Sequence, residues 1–128
     1  MEELMEIKVE VDSDIIFLKL AGSLVAASVE ELKTQVQKLV EKKYVHIIFD
    51  LSKVDFVDSS GLGLCISTSR ELAACSGKLV CYGLRENVQK LFTMTRADQK
   101  IVVMASRVNA FDYMLAMLNE DTPEATVL

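Results

Sequence analysis

Seven residues near the middle of the chain, Val45-His46-Ile47-Ile48-Phe49-Asp50-Leu51, form a nearly continuous apolar run rather than an alternating one. A half-buried strand alternates apolar and polar residues, so a run of this kind predicts a central strand covered on both faces. Such a strand needs helices on either side of its sheet, and that requirement points to the α/β class. The chain has 128 residues, of which 51% are hydrophobic. That is enough to build one domain with a sizeable core around this strand, and too apolar for a disordered chain.

The flanking segments supply the partners. Ile7, Val9 and Val11 alternate with Glu6, Lys8 and Glu10, the period of a half-buried strand. Asp12-Ser13-Asp14 brings turn chemistry, and Ile15 to Leu20 is a second β-rich run, so the two strands should pair as an antiparallel hairpin. Val29, Leu32, Val36, Leu39 and Val40 then recur at helical spacing up to Glu41-Lys42-Lys43. Ser28 and Glu31 have the spacing of a capping box at the start of that helix.

After the central run, a loop holding Val54 and Phe56 is expected, then a helix with Leu62, Cys65, Ile66, Ser69, Leu72 and Ala73 on one face and a stop at Ser76-Gly77. Lys78 to Tyr82 reads as a strand, Glu86 to Phe92 as a short helix and Ile101 to Met104 as a strand. Ser106 can cap a last helix burying Val108, Phe111, Met114, Leu115 and Leu118. The order β-β-α-β-α-β-α-β-α predicts a mixed, mostly parallel sheet with an N-terminal antiparallel hairpin and about four helices. The domain should span residues 1–118. Residues 119–128, polar and holding the only proline, Pro123, should be a flexible tail.

The chemical inventory is narrow. Lys and Arg number 14 against 19 Asp and Glu, a net charge of −5, which disfavours direct nucleic-acid binding through phosphates. Polar residues break every apolar stretch before about 18 residues, and the acidic start MEELMEIKVE is unlike a signal peptide. A cytoplasmic protein without membrane insertion is expected. Cys65, Cys75 and Cys81 form no CxxC pair, and the single His46 has no ligand-type neighbour at metal spacing. Reduced thiols, Cys65 and Cys81 in the core and Cys75 the more exposed, are expected, with no metal and no cofactor.

The most unusual segment is Val54 to Gly63, VDFVDSSGLG, at a strand-to-helix junction. A side-chain oxygen of Ser59 or Ser60 can cap the helix, and a phosphate there would add roughly −1.5 to −2 charges beside Asp58. The residues alone leave two readings open: an ordinary cap followed by glycines that permit close packing, or a serine site open to modification. Catalysis is disfavoured. G-x-S-x-G, G-x-G-x-x-G and the P-loop pattern are all absent, and no histidine links Asp55 or Asp58 to a hydroxyl.

The element order, the run HIIFDLSKVDFVDSSGLG and the later LFTMTRADQKI resemble bacterial anti-sigma factor antagonists. These are the single-domain members of the STAS (sulfate transporter and anti-sigma factor antagonist) group, and the resemblance spans roughly residues 5 to 118. It implies a non-enzymatic regulator that binds an anti-sigma factor, itself a serine kinase, when unphosphorylated, so releasing a sigma factor. Phosphorylation would switch it off and a PP2C-type phosphatase would restore it. Carried over residue by residue, the phosphorylated serine is Ser59, with Ser60 second. Asp58, Ser59, Ser60, Gly61, Leu62 and Ser23 form the partner-binding set, with Leu62 as the apolar contact beside Ser59.

One departure stands out. Family members carry a G-[DE]-[LI]-D pattern after the second strand, where this chain has Gly22-Ser23-Leu24-Val25. The missing carboxylates motivate an alternative expectation, a STAS scaffold or ligand-binding module that no longer cycles through phosphate, in a signalling assembly or a transport system.

Overall fold

The computed structural model describes residues 5–120. Strands β1 (Met5–Asp12) and β2 (Ile15–Leu24) form the expected antiparallel hairpin. Asp12 pairs with Ile15, and the two residues between, Ser13 and Asp14, both have positive φ (55° and 66°). That is the geometry of a two-residue turn whose twist matches that of the strands. Helix α1 (Val29–Glu41) leads to β3 (His46–Val57), and α2 (Ser59–Ala74) leads to β4 (Lys78–Tyr82). Helix α3 (Glu86–Met94) and a 3-10 turn at Ala97–Gln99 lead to β5 (Val102–Met104), and α4 (Arg107–Glu120) follows.

The sheet order is β1-β2-β3-β4-β5, antiparallel between β1 and β2 and parallel elsewhere, as the sequence predicts. Each crossover advances one strand in the same direction. Right-handed crossovers therefore put α1, α2 and α3 on one face of the sheet. On that face Leu32, Val36, Leu62, Cys65, Leu72, Val88 and Phe92 meet Leu18, Ile47, Phe49, Leu51, Leu79 and Cys81. On the other face Ala110 and Met114 of α4 meet Ile15, Phe17, Ile48 and Val80. The central run is thus buried on both sides, with Ile47, Ile48, Phe49 and Leu51 all fully inaccessible.

Four local expectations are corrected. The segment holding Val54 and Phe56 is no loop: β3 runs on to Val57 because Ala21, Gly22, Ser23 and Leu24 of β2 stay paired with it. Ser28 makes no capping bond to α1. Its hydroxyl is buried, donates to the Ser23 carbonyl (2.7 Å) and accepts from Val25 N–H (3.0 Å), so it is consumed by the preceding loop. Val108 is 66% exposed, since α4 turns Ala110 and Met114 to the sheet instead. Helix α4 also takes in Asn119 and Glu120, which the sequence reading assigns to the tail; residues 121–128 lie outside the described residues. At the start of α4, Ser106 Oγ does accept from Asn109 N–H (3.2 Å).

Cys65 and Cys81 are fully buried and Cys75 is exposed. Burial pushes the Cys65 thiol up to about 12 and raises that of Cys81 as well, so neither forms the reactive thiolate at neutral pH.

Gly77 closes α2 and begins the return to β4. Its N–H bonds the Leu72 carbonyl (2.7 Å), Lys78 N–H bonds the Val45 carbonyl (2.9 Å), and a Cβ on Gly77 would overlap that same Val45 oxygen. Gly77→Ala should therefore lower unfolding stability by about 1–3 kcal/mol, read from the urea midpoint at unchanged m-value.

Candidate functional site

Strand β3 pairs with β4 only through Asp50 and Tyr82, but with β2 as far as Val57 and Leu24. Its last seven residues, more than half of its twelve, therefore leave β4 and run along β2 to the C-terminal rim of the sheet, where α2 begins. Asp50 braces the departure point. Burial pushes its carboxyl up, but the Ser52 hydroxyl (2.6 Å), the Ser52 N–H (2.9 Å), the Tyr82 hydroxyl and nearby Lys19 outweigh that and hold it below its ordinary value. Two side chains from the α3 side pin the overhang: Arg85 Nε donates to the Ser52 carbonyl (3.1 Å) and Asn87 Nδ2 to the Asp55 carbonyl (2.8 Å).

At the rim Asp58, in extended conformation, is the N-cap of α2. One carboxylate oxygen accepts from Gly61 N–H (2.9 Å) and the other from Ala26 N–H (3.2 Å) in the loop after β2. The Asp58 N–H donates to the Leu24 carbonyl (3.2 Å). One residue thus ties three segments together. The Gly61 N–H is the main cause that holds the Asp58 carboxyl below 3.8; desolvation opposes it, and the N–H groups of Ala26 and Ser60 assist. Asp58, rather than either serine, is the cap, because a carboxylate one residue earlier already meets the amide donors that a serine would take.

Ser59 and Ser60 are consequently spare. Both are exposed on the first turn of α2, and neither hydroxyl is hydrogen-bonded among the described residues. Ser23, on β2, pairs in register with Phe56 and lies 3.5 Å from an Asp55 carboxylate oxygen, so it joins the same rim. Gly61 is buried against the Leu24 backbone, where any Cβ would overlap the carbonyl, so it serves the junction and not the surface.

Leu62 corrects the expectation of an apolar partner contact. It is 7% exposed and belongs to the core, because the Asp58 cap turns this side of α2 inward. The apolar side chain that does stand out at this rim is Phe56, 53% exposed, which the sequence reading placed in a loop and gave no role. The signal was weak, since in Val54-Asp55-Phe56-Val57 only the two valines turn inward, a spacing of three that is not the period of a strand. Met94 ends α3 at 82% exposure, so that helix runs two residues past the Phe92 end expected from the sequence.

Three clefts of about 200, 90 and 400 Å³ lie between α1 and α2 (Lys33, Val36, Ser67, Glu71), on the β1–β3 face around Asp50, and beside Gln89, Asp98 and Met104, and Asp58, Ser59 and Ser60 line none of the three. No group of three or more possible metal ligands occurs among the described residues, and no described helix is long and apolar enough to cross a membrane. An exposed serine outside these clefts suits recognition by another protein better than binding of a small molecule.

The comparisons with known proteins agree with this architecture. The sequence model of the STAS domain family matches residues 6–110. The anti-sigma-B factor antagonist of Listeria monocytogenes is 29% identical over 94 residues, covering 71% of this chain and 82% of its own length. SpoIIAA, a Bacillus cell fate determinant, is 24% identical. Its unphosphorylated form superimposes with a TM-score of 0.69 over 86% of this chain and 98% of its own, and its phosphorylated form with 0.67 over 84% and 98%. The murine Slc26a9 anion transporter matches 84% of this chain with 18% of its own length, at 19% identity and a TM-score of 0.68.

The depressed Asp58 value carries a pH signature. A carboxyl lowered in the folded state contributes stability that is complete above its unfolded value and is lost as pH falls through the folded one. Asp58→Asn should be less stable than the parent at pH 7, and the gap should narrow as pH drops below 3.8, in urea titrations of both proteins across the acid range. A gap independent of pH would contradict the assignment of Asp58 as the charged cap.

Proposed function

The chain belongs to the STAS domain family, and from that premise we propose that it acts as an anti-sigma factor antagonist switched by phosphorylation of Ser59. In this reading the unphosphorylated rim around Asp58, Ser59, Ser60 and Ser23 binds an anti-sigma factor of the serine-kinase type and so frees a sigma factor. The kinase then transfers phosphate to Ser59, and a PP2C-type phosphatase removes it. The relatives named anti-sigma factor antagonist support the general role. The fold alone does not, because the same fold also serves as a small part of an anion transporter.

The observation that carries the reading is the free, exposed hydroxyl of Ser59 directly after an ionised cap. A phosphate there would bring about −1.5 to −2 charges next to Asp58. The Gly61 amide at the helix end and the Ala26 amide in the facing loop are already bonded to that carboxylate, so the phosphate would have to compete with Asp58 for these donors. The new charge faces outward, where a partner surface shaped for a hydroxyl must desolvate it or let go. Ser60, also exposed, is the second choice.

The test is intact mass after incubation with the anti-sigma kinases of the source organism and ATP. The parent and Ser60→Ala should each gain one phosphate and Ser59→Ala none; equal uptake by Ser59→Ala would refute the assignment. Ser59→Asp should bind the anti-sigma factor at least about tenfold more weakly than the parent, a cost of roughly 1.4 kcal/mol.

A further inference from the structure

Gly61 and Gly63 lie two residues apart on α2, and the fold requires only the first. A Cβ on Gly61 would overlap the Leu24 backbone, whereas a Cβ on Gly63 would find nothing within 4 Å. Gly63 is exposed, sits inside a 16-residue helix and has no left-handed φ, so neither space nor backbone conformation calls for glycine. An alanine would hold the helix better at this position. Gly63 also falls one turn after Ser59, on the same side of the helix. Exposed Ser59, Ser60 and Ser67, each within a turn of Gly63, have side chains no longer than a hydroxymethyl group.

We propose that Gly63 is a clearance residue of the partner interface: bare backbone at this turn lets the anti-sigma factor close onto α2 tightly enough to reach Ser59. This rests on the reading above that Ser59 lies in that interface. A glycine unfavourable to the helix and idle in the packing is explained if a second surface occupies the space its side chain would fill. Fit at this turn would then set which anti-sigma factor is accepted, independently of charge.

The test uses Gly63→Ala and Gly63→Gln in the full chain, with two readouts. The midpoint of thermal unfolding should rise by about 3–6 °C for Gly63→Ala. Affinity should move the other way, measured by titrating each purified anti-sigma factor of the source organism against the protein. Gly63→Ala should weaken binding and Gly63→Gln should weaken it by roughly tenfold or more. A fall in the unfolding midpoint of Gly63→Ala would mean that the fold does need this glycine, and would overturn the inference. Parent-like affinity in both variants would overturn it while leaving the proposed function standing. Failure of the parent to bind any anti-sigma factor would overturn both.

Discussion

Burial of β3 on both faces is the constraint on which the rest of the molecule depends. Ile47, Phe49 and Leu51 need one cover and Ile48 another, so the sheet cannot stand with helices on one side alone. Three crossover helices meet the first need, and α4, which follows the last strand, meets the second. Lacking any reversal of strand order, the sheet has no switch point of the kind that opens a ligand crevice in doubly wound folds. The helix starts of α1, α2 and α3 gather at one rim, yet that rim is closed over by the loop after β2 and by the α3 side chains that hold the β3 overhang.

Closure of the rim runs through Asp58. Its backbone N–H, its carbonyl and both carboxylate oxygens are each engaged, with Leu24, Leu62, Gly61 and Ala26 respectively. Gly61 allows the approach that brings these groups together, and Ser28 holds the facing loop from beneath. The serines that follow are therefore carried by the junction without contributing to it. That division separates a rigid support from two hydroxyls whose chemical change disturbs no structural bond.

Much of this was legible in the sequence because burial leaves a periodic trace. The alternation from Glu6 to Val11, the unbroken run at Val45 to Leu51 and the helical spacing from Val29 to Val40 each correspond to the element observed. What escaped reading depends on tertiary partners. Ser28 has the sequence signature of a cap, but its hydroxyl is drawn to Ser23 and Val25 by a loop whose shape no local pattern encodes. The β3 overhang continues because β2 continues beside it, a pairing between residues more than 30 positions apart. Leu62 is buried and Phe56 exposed for reasons that are likewise tertiary. Leu62 turns inward because of how the cap sets the rotation of α2, and Phe56 turns outward because of how β3 pairs with β2; residue type alone carries neither.

The rigidity of the junction also limits how a phosphate could act. A switch that works by rearrangement needs a bond that the new charge breaks or makes, and neither serine holds one. Asp58 is ionised at neutral pH and anchored by amide donors, so it does not move aside or take up a proton to accommodate a second negative group. Charge effects in physiological salt fade over about 8 Å. A phosphate at this rim therefore has its main effect within contact distance, on whatever surface covers α2, and only weakly through the protein that carries it. If Ser59 is the switch proposed above, the folded domain would act as a stiff presenter of one hydroxyl, and the specificity of that switch would lie in how closely a partner must approach.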